Sequence, residues 1–147
     1  MKIQQYEFSR LLQKDTDFLD FASQVSQAIN TGTTTIVATI ALTGQTGDIS
    51  ATTIYTPSTA WYFRVGVYMI CTTAGTGTLS SIIRWTDNAG SKSLSPAANV
   101  DLSSTSNGST GNDFIRANGS AITYETAIAG KAGSPVYEIY IVLEQLG

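Results

Sequence analysis

The 147-residue chain contains no histidine. That absence removes Ser-His-Asp and Cys-His catalysis, imidazole general-base chemistry and most zinc centres in one step. A single cysteine, Cys71, forbids an intrachain disulfide and fits a reducing compartment. Charge is also scarce: 13% of residues carry it, and the net charge is -3. The eight basic residues stand singly from Lys2 to Lys131, without the cluster that phosphate neutralisation needs. Nucleic acid is therefore not an expected partner. No apolar run approaches the ~20 residues of a membrane span, and the opening "MKIQQYEFSRLLQKD" lacks the apolar core of a leader. The expectation is a protein with no membrane partner, made and folded in a cytoplasm.

Hydroxyls take the place of the missing charge. Threonine and serine form about a quarter of the chain, well above the usual globular share. Threonine is β-branched and suits a pleated, half-wet surface, so the composition points to an all-β protein.

The first thirty residues differ from the rest: they contain much of the chain's charge and neither glycine nor proline. In "DTDFLDFASQVSQAIN", Phe18, Phe21, Ala22, Val25, Ala28 and Ile29 recur at helical spacing. Asp15 or Thr16 can cap the start, and Gly32 can end it in a left-handed conformation. The spacing predicts an amphipathic helix in an N-terminal arm, residues 1–32. Before it, Tyr6, Phe8, Leu11 and Leu12 form an apolar set suited to contact with a partner.

From Thr33 the period becomes two, which predicts a β-domain over 33–147. "TIVATIALT" places Ile36, Ala38, Ile40 and Leu42 on one face. "WYFRVGVYMIC" places Trp61, Phe63, Val65, Val67, Met69 and Cys71 inward. "LSSIIRW" aligns Ile83 with Trp85, and "VYEIYIVLEQL" aligns Tyr137, Ile139, Ile141 and Leu143. Turn signals separate the runs, with "AGTG" at 74–77 and "NG" at 118–119 reading as hairpins and 103–112 as a mobile polar loop. About eight strands result, the number needed for an antiparallel jelly-roll sandwich.

The chemical candidates are thin. Cys71 continues an inward alternation, and burial in apolar surroundings makes a thiol inert. "AGTGT" precedes a strand rather than a helix and has no nearby lysine, so it is not a phosphate loop. Glu138 and Glu144 share a strand face about 20 Å apart at ~3.3 Å per residue, beyond the ~5–9.5 Å of paired glycosidase carboxylates. "TDNAG" lacks the alternating acidic ligands of a calcium loop. No enzyme, cofactor or metal is expected. More informative are Tyr62, Tyr68 and Ile70, opposite the core face of their strand, and Tyr140 and Val142 on the last strand. So apolar an outer face reads as a subunit interface.

Residues 52–146 resemble a jelly-roll module of virion proteins of tailed bacteriophages. The resemblance is carried by "ATTIYTPSTAWYFRVGVYMICTTAGTGTLSSIIRWTDNAG", "ITYETAIAG" and "VYEIYIVLEQLG". It implies a trimeric, tumour necrosis factor-like sandwich that decorates a capsid or tips a fibre. The expected protein is then a homotrimeric capsid decoration or cement protein, made in a bacterial host cytoplasm and bound to the major capsid protein on the virion surface. The arm would touch the capsid, and Tyr62, Tyr68, Ile70, Tyr140 and Val142 would lie between subunits. Its rivals are a fibre tip that binds host glycans and a detached carbohydrate-binding module.

Overall fold

The computed structural model describes residues 34–147. Nine strands follow in order: β1 (Thr35–Gln45), β2 (Ile49–Tyr55), β3 (Trp61–Thr73), β4 (Thr76–Asp87), β5 (Gly90–Leu94), β6 (Val100–Asp101), β7 (Gly108–Ala117), β8 (Ile122–Ala132) and β9 (Val136–Gln145). There is no helix among the described residues. The expected arm helix and Tyr6, Phe8, Leu11 and Leu12 lie outside them.

The strands form two antiparallel sheets, ordered β1-β9-β3-β7 and β2-β8-β4-β5, with β6 also beside β4. The pairs β1 with β9, β2 with β8, β3 with β7 and β4 with β5 are nested, as in one long ribbon folded over. Wrapping that ribbon brings β9 against β3 and β8 against β4. This is the strand order of a jelly roll. The ninth strand beyond the expected eight is the two-residue β6, too short to show a period in the sequence.

Alternation builds the core. Phe63, Val65, Val67, Met69 and Cys71 of β3 are buried, as are Tyr137, Ile139, Ile141 and Leu143 of β9. They meet Leu79, Ile83, Ile122 and Tyr124 of the second sheet. Trp85 packs at the margin of this cluster. Trp61, expected inside, is 41% exposed at the first position of β3, and its indole N–H donates to the Leu146 carbonyl.

Three local expectations change. A register shift between Ile36 and Ala38 turns Val37 toward the core and leaves Ile36 outside, since one extra residue reverses the side-chain sense. The turns at 74–77 and 118–119 are not hairpins: each carries the chain from one sheet to the other. The Gly75 N–H donates to Leu102 O at 2.8 Å and Leu102 N–H to Gly77 O at 2.9 Å, so this corner closes on the β6 region. The true hairpin is β4–β5, where Asp87 faces Gly90 and Asp87 Oδ1 accepts the Ala89 N–H at 2.7 Å. Finally, half of the expected mobile loop at 103–112 is strand. Gly108 to Asn112 pairs with Ile70 to Gly66, through a backbone ladder that needs no apolar side chain.

Candidate functional site

The outer face of the β1-β9-β3-β7 sheet is the feature that sets this surface apart. Even-numbered residues of β3 and β9 point away from the core, so Tyr62, Tyr68, Ile70, Tyr140 and Val142 all share it. Tyr68 and Tyr140 are direct register partners with stacked rings, 6.1 Å between centroids and 27° between planes. Val142 lies opposite Gly66, and Ile70 opposite Glu138.

Two members escaped the sequence reading. Phe114 of β7, 70% exposed, faces outward opposite Arg64, and Ile36 of β1 opposite Glu144. Phe114 has a visible signal, because Ile115 and Ala117 take the inward phase and leave it outside. Ile36 has none without knowledge of the bulge. With these two, five of the six exposed large hydrophobic side chains among the described residues sit on this face. The opposite sheet presents Ser80, Ile82, Arg84, Thr86, Thr123 and Glu125 outward, a mostly polar set.

A shallow trough of about 580 Å³ crosses the face over Gly66, bordered by Tyr68, Tyr140, Phe114, Val142 and the Arg64–Glu144 pair. A Cβ at Gly66 would lie 2.7 Å from Asn112 Oδ1, so a side chain there would displace that amide. The amide of Asn112 therefore lies over the glycine and forms part of the trough wall.

The charged side chains of this face make contacts within it. Arg64 Nε donates to Glu144 Oε2, which holds the Glu144 carboxyl below the usual range and raises the guanidinium. Tyr140 O–H donates to Glu138 Oε2 at 2.6 Å, and that hydrogen bond raises the phenol, with desolvation adding to it. The Arg116 guanidinium sits 5.8 Å from the Tyr62 ring centroid, within cation–π reach. Arg64 and Glu144 thus neutralise each other, whereas Glu138 and Arg116 make no ion pair among the described residues.

The lone thiol points away from it, into the core. Cys71 is 1% exposed, its S–H contacts Thr73 O at 3.3 Å, and burial raises its thiol. Asp101 Oδ1 accepts the Ser103 N–H at 2.9 Å, a backbone-capping role like that of Asp87. Among the described residues no three His, Cys, Asp or Glu side chains converge as metal ligands.

The sequence matches no family profile and no curated protein. Solved structures do show the fold. The vertex protein P5 of PRD1 is similar with a TM-score of 0.50 at 12% identity, over 77% of this chain and 99% of P5. A chain of the infectious bursal disease virus Gx strain is similar at 16% identity and a TM-score of 0.48, over 78% of this chain. The present chain spans about a third (32%) of that one's length. The capsid of Helicobacter pylori bacteriophage KHP30 contains another, at 15% identity and a TM-score of 0.43, over 74% of this chain and 85% of that one. At such identities the likeness is one of architecture, which P5 shares over nearly its whole length.

Proposed function

We propose that the protein is a non-enzymatic virion component, a homotrimer of tumour necrosis factor-like sandwiches that decorates and stabilises a capsid. The observation that carries this reading is the aromatic outer face of the four-stranded sheet. Tyr62, Tyr68, Phe114, Val142 and Ile36 gather five exposed large hydrophobic side chains on one face around the Arg64–Glu144 pair, a grouping of the kind that marks an interface. Arg64 and Glu144 at its centre already pair with each other, so a second copy of the chain can cover them without leaving that charge unmatched. Subunit contact then runs through Tyr62, Tyr68, Ile70, Tyr140 and Val142, with Phe114 and Ile36 added.

Attachment to the major capsid protein is assigned to the arm residues Tyr6, Phe8, Leu11 and Leu12. Three arms in one trimer bind together, which multiplies a weak single contact. A ligand that binds the assembled shell and not its open forms stabilises it by mass action. Co-sedimentation with capsids stripped of this protein tests the reading. The full chain is expected to pellet with them, and a chain lacking residues 1–32 is expected to stay in solution as a trimer.

A second reading has its own supporting observation. The trough sets Asn112, Thr110 and the Arg64–Glu144 pair beside Tyr68, a combination of aromatic platform and polar groups that suits a host glycan at a fibre tip. Binding to host cells without binding to capsids favours that reading.

A further inference from the structure

Two asparagines among the described residues precede glycine, Asn107 and Asn118, and both stand before the same Gly-Ser. Asn88, Asn99 and Asn112 precede Ala89, Val100 and Asp113, whose side chains shield the following backbone nitrogen. Glycine leaves that nitrogen open, so the amide of a preceding asparagine, a thermolabile group, is exposed to attack by it. Local sequence makes the two sites alike. Any difference between them comes from the fold.

At Asn107 the fold holds the peptide that would have to move. Its carbonyl accepts the Cys71 N–H at 3.0 Å, its own N–H donates to Ser104 O at 3.1 Å, and its Nδ2 donates to Asp101 O at 2.8 Å. Turning the 107–108 peptide would leave the N–H of buried Cys71 unmatched. Asn118 is exposed, on the corner between β7 and β8. Its N–H donates to Thr86 O at 2.9 Å, but among the described residues neither its carbonyl nor the Gly119 N–H makes a hydrogen bond. Its Oδ1 accepts the Ser120 N–H at 3.2 Å, and its Nδ2 reaches Asp87 O only at 3.3 Å. The Ser120 N–H polarises the Cγ carbonyl and supports its oxygen as negative charge develops there. The carbon under attack is thus activated, and the nitrogen that must leave is weakly held.

We propose that Asn118 is a site of spontaneous deamidation in the folded chain, whereas Asn107 is kept as the amide. The Gly119 nitrogen loses its proton and bonds to Asn118 Cγ, the Cγ–Nδ2 bond breaks, and ammonia carries the amide nitrogen away. A water molecule then adds to either carbonyl of the five-membered imide, giving aspartate or isoaspartate. No oxidant or reductant takes part. Either product adds a negative charge to a chain whose net charge is already -3, and loses the amide donor to Asp87 O. Isoaspartate also routes the backbone through the side-chain carbon, which lengthens the corner by a methylene. The site uses none of the residues assigned to subunit or capsid contact and depends on neither reading.

The test holds the full chain in mildly alkaline ¹⁸O-water, folded and, in parallel, unfolded in guanidinium chloride, and maps its peptides by mass spectrometry. In the folded chain Asn118 is expected to convert about tenfold or more faster than Asn107, the effect of one buried donor left unpaired. Unfolded, the two are expected to convert at similar rates, because both lie in Asn-Gly-Ser. Each conversion is expected to bring in one ¹⁸O and release one ammonia, with isoaspartate beside aspartate at 118. Asn118→Gln, whose longer side chain would have to close a larger ring, is expected to stay unmodified. An Asn118 that stays intact in the folded chain while its unfolded counterpart converts overturns the proposal. So does an Asn107 that converts as fast as Asn118 in the folded chain. Aspartate at 118 without isoaspartate overturns it too, since that would mean direct hydrolysis without the ring.

Discussion

Tyr137 of β9 and Thr126 of β8 are joined by a 2.6 Å hydrogen bond through the middle of the sandwich, linking one sheet to the other. The donors order themselves. Ile49 N–H donates to Thr126 Oγ1 at 2.9 Å, and Tyr137 O–H donates to Gly47 O at 2.8 Å, so the Thr126 hydroxyl proton points to the phenol. Each polar group in this buried relay has a partner. Removing the phenol hydroxyl leaves Thr126 and the Gly47 carbonyl unmatched, at a cost of about 1–3 kcal/mol. Tyr137→Phe and Thr126→Val are each expected to lower the urea midpoint. The double variant is expected to cost less than the two single losses added together, because both break one network.

Burial raises both the Cys71 thiol and the Tyr137 phenol above their ordinary values, so the folded chain holds these protons more tightly than the unfolded chain. The stability linked to them is present below the ordinary values, 9.0 for the thiol and 10.0 for the phenol, and is lost as pH rises through the folded values. Glu144 acts at the other end: its lowered pKa contributes stability that is lost as pH falls through the folded value. Urea midpoints across pH are expected to decline on both sides of neutrality. Substituting Arg64→Met is expected to soften the acid decline alone. A thiol reagent at mildly alkaline pH is expected to leave Cys71 unmodified until urea unfolds the chain.

The strands were legible because their period is a local property, visible in β3 and β9 without knowledge of their neighbours. Tyr62, Tyr68, Ile70, Tyr140 and Val142 were legible for the same reason, since two strands with known inner faces have known outer ones. The partners of those strands were not. Asn118-Gly119 encodes a reversal of the chain but not whether the next strand continues the same sheet, and in a jelly roll most reversals change sheets. Gly108 to Asn112 of β7 escaped because its place rests on backbone pairing to β3. Ile36 escaped because a bulge is fixed by the register of β1 on β9, which involves residues more than a hundred positions apart.

Gly111 shows how closely the chain packs where β7 meets the β5–β6 connection. A Cβ on this residue would stand 1.7 Å from the Pro96 carbonyl oxygen, a backbone atom that no rotamer change can move. Gly111→Ala is expected to destabilise by several kcal/mol or to prevent soluble expression, as overpacking against a fixed backbone does. Gly47→Ala is the matched control, since nothing lies within 4 Å of its Cβ position. Its expected change in thermal midpoint is within a few degrees. A stable, well-expressed Gly111→Ala protein would mean that β7 does not lie against Pro96.

The aromatic face makes the sharpest demand on assembly. Phe114→Glu and Tyr68→Glu each add a carboxylate without touching the core, because both side chains are exposed; at 114 it falls opposite Arg64, at 68 it has no cation as register partner. If a second copy covers this face, each variant buries an added carboxylate between subunits and shifts the protein toward monomer. Light scattering at micromolar concentration is expected to read a trimer for the parent and a monomer for both variants, with unchanged circular dichroism. Ala127→Glu, outward on the opposite sheet, is expected to remain trimeric. Salt separates the driving forces: apolar contact survives or strengthens at high ionic strength, whereas association held by exposed charges weakens. A parent protein that is already monomeric, or a Phe114→Glu variant that stays trimeric, would place the subunit contact on some other surface.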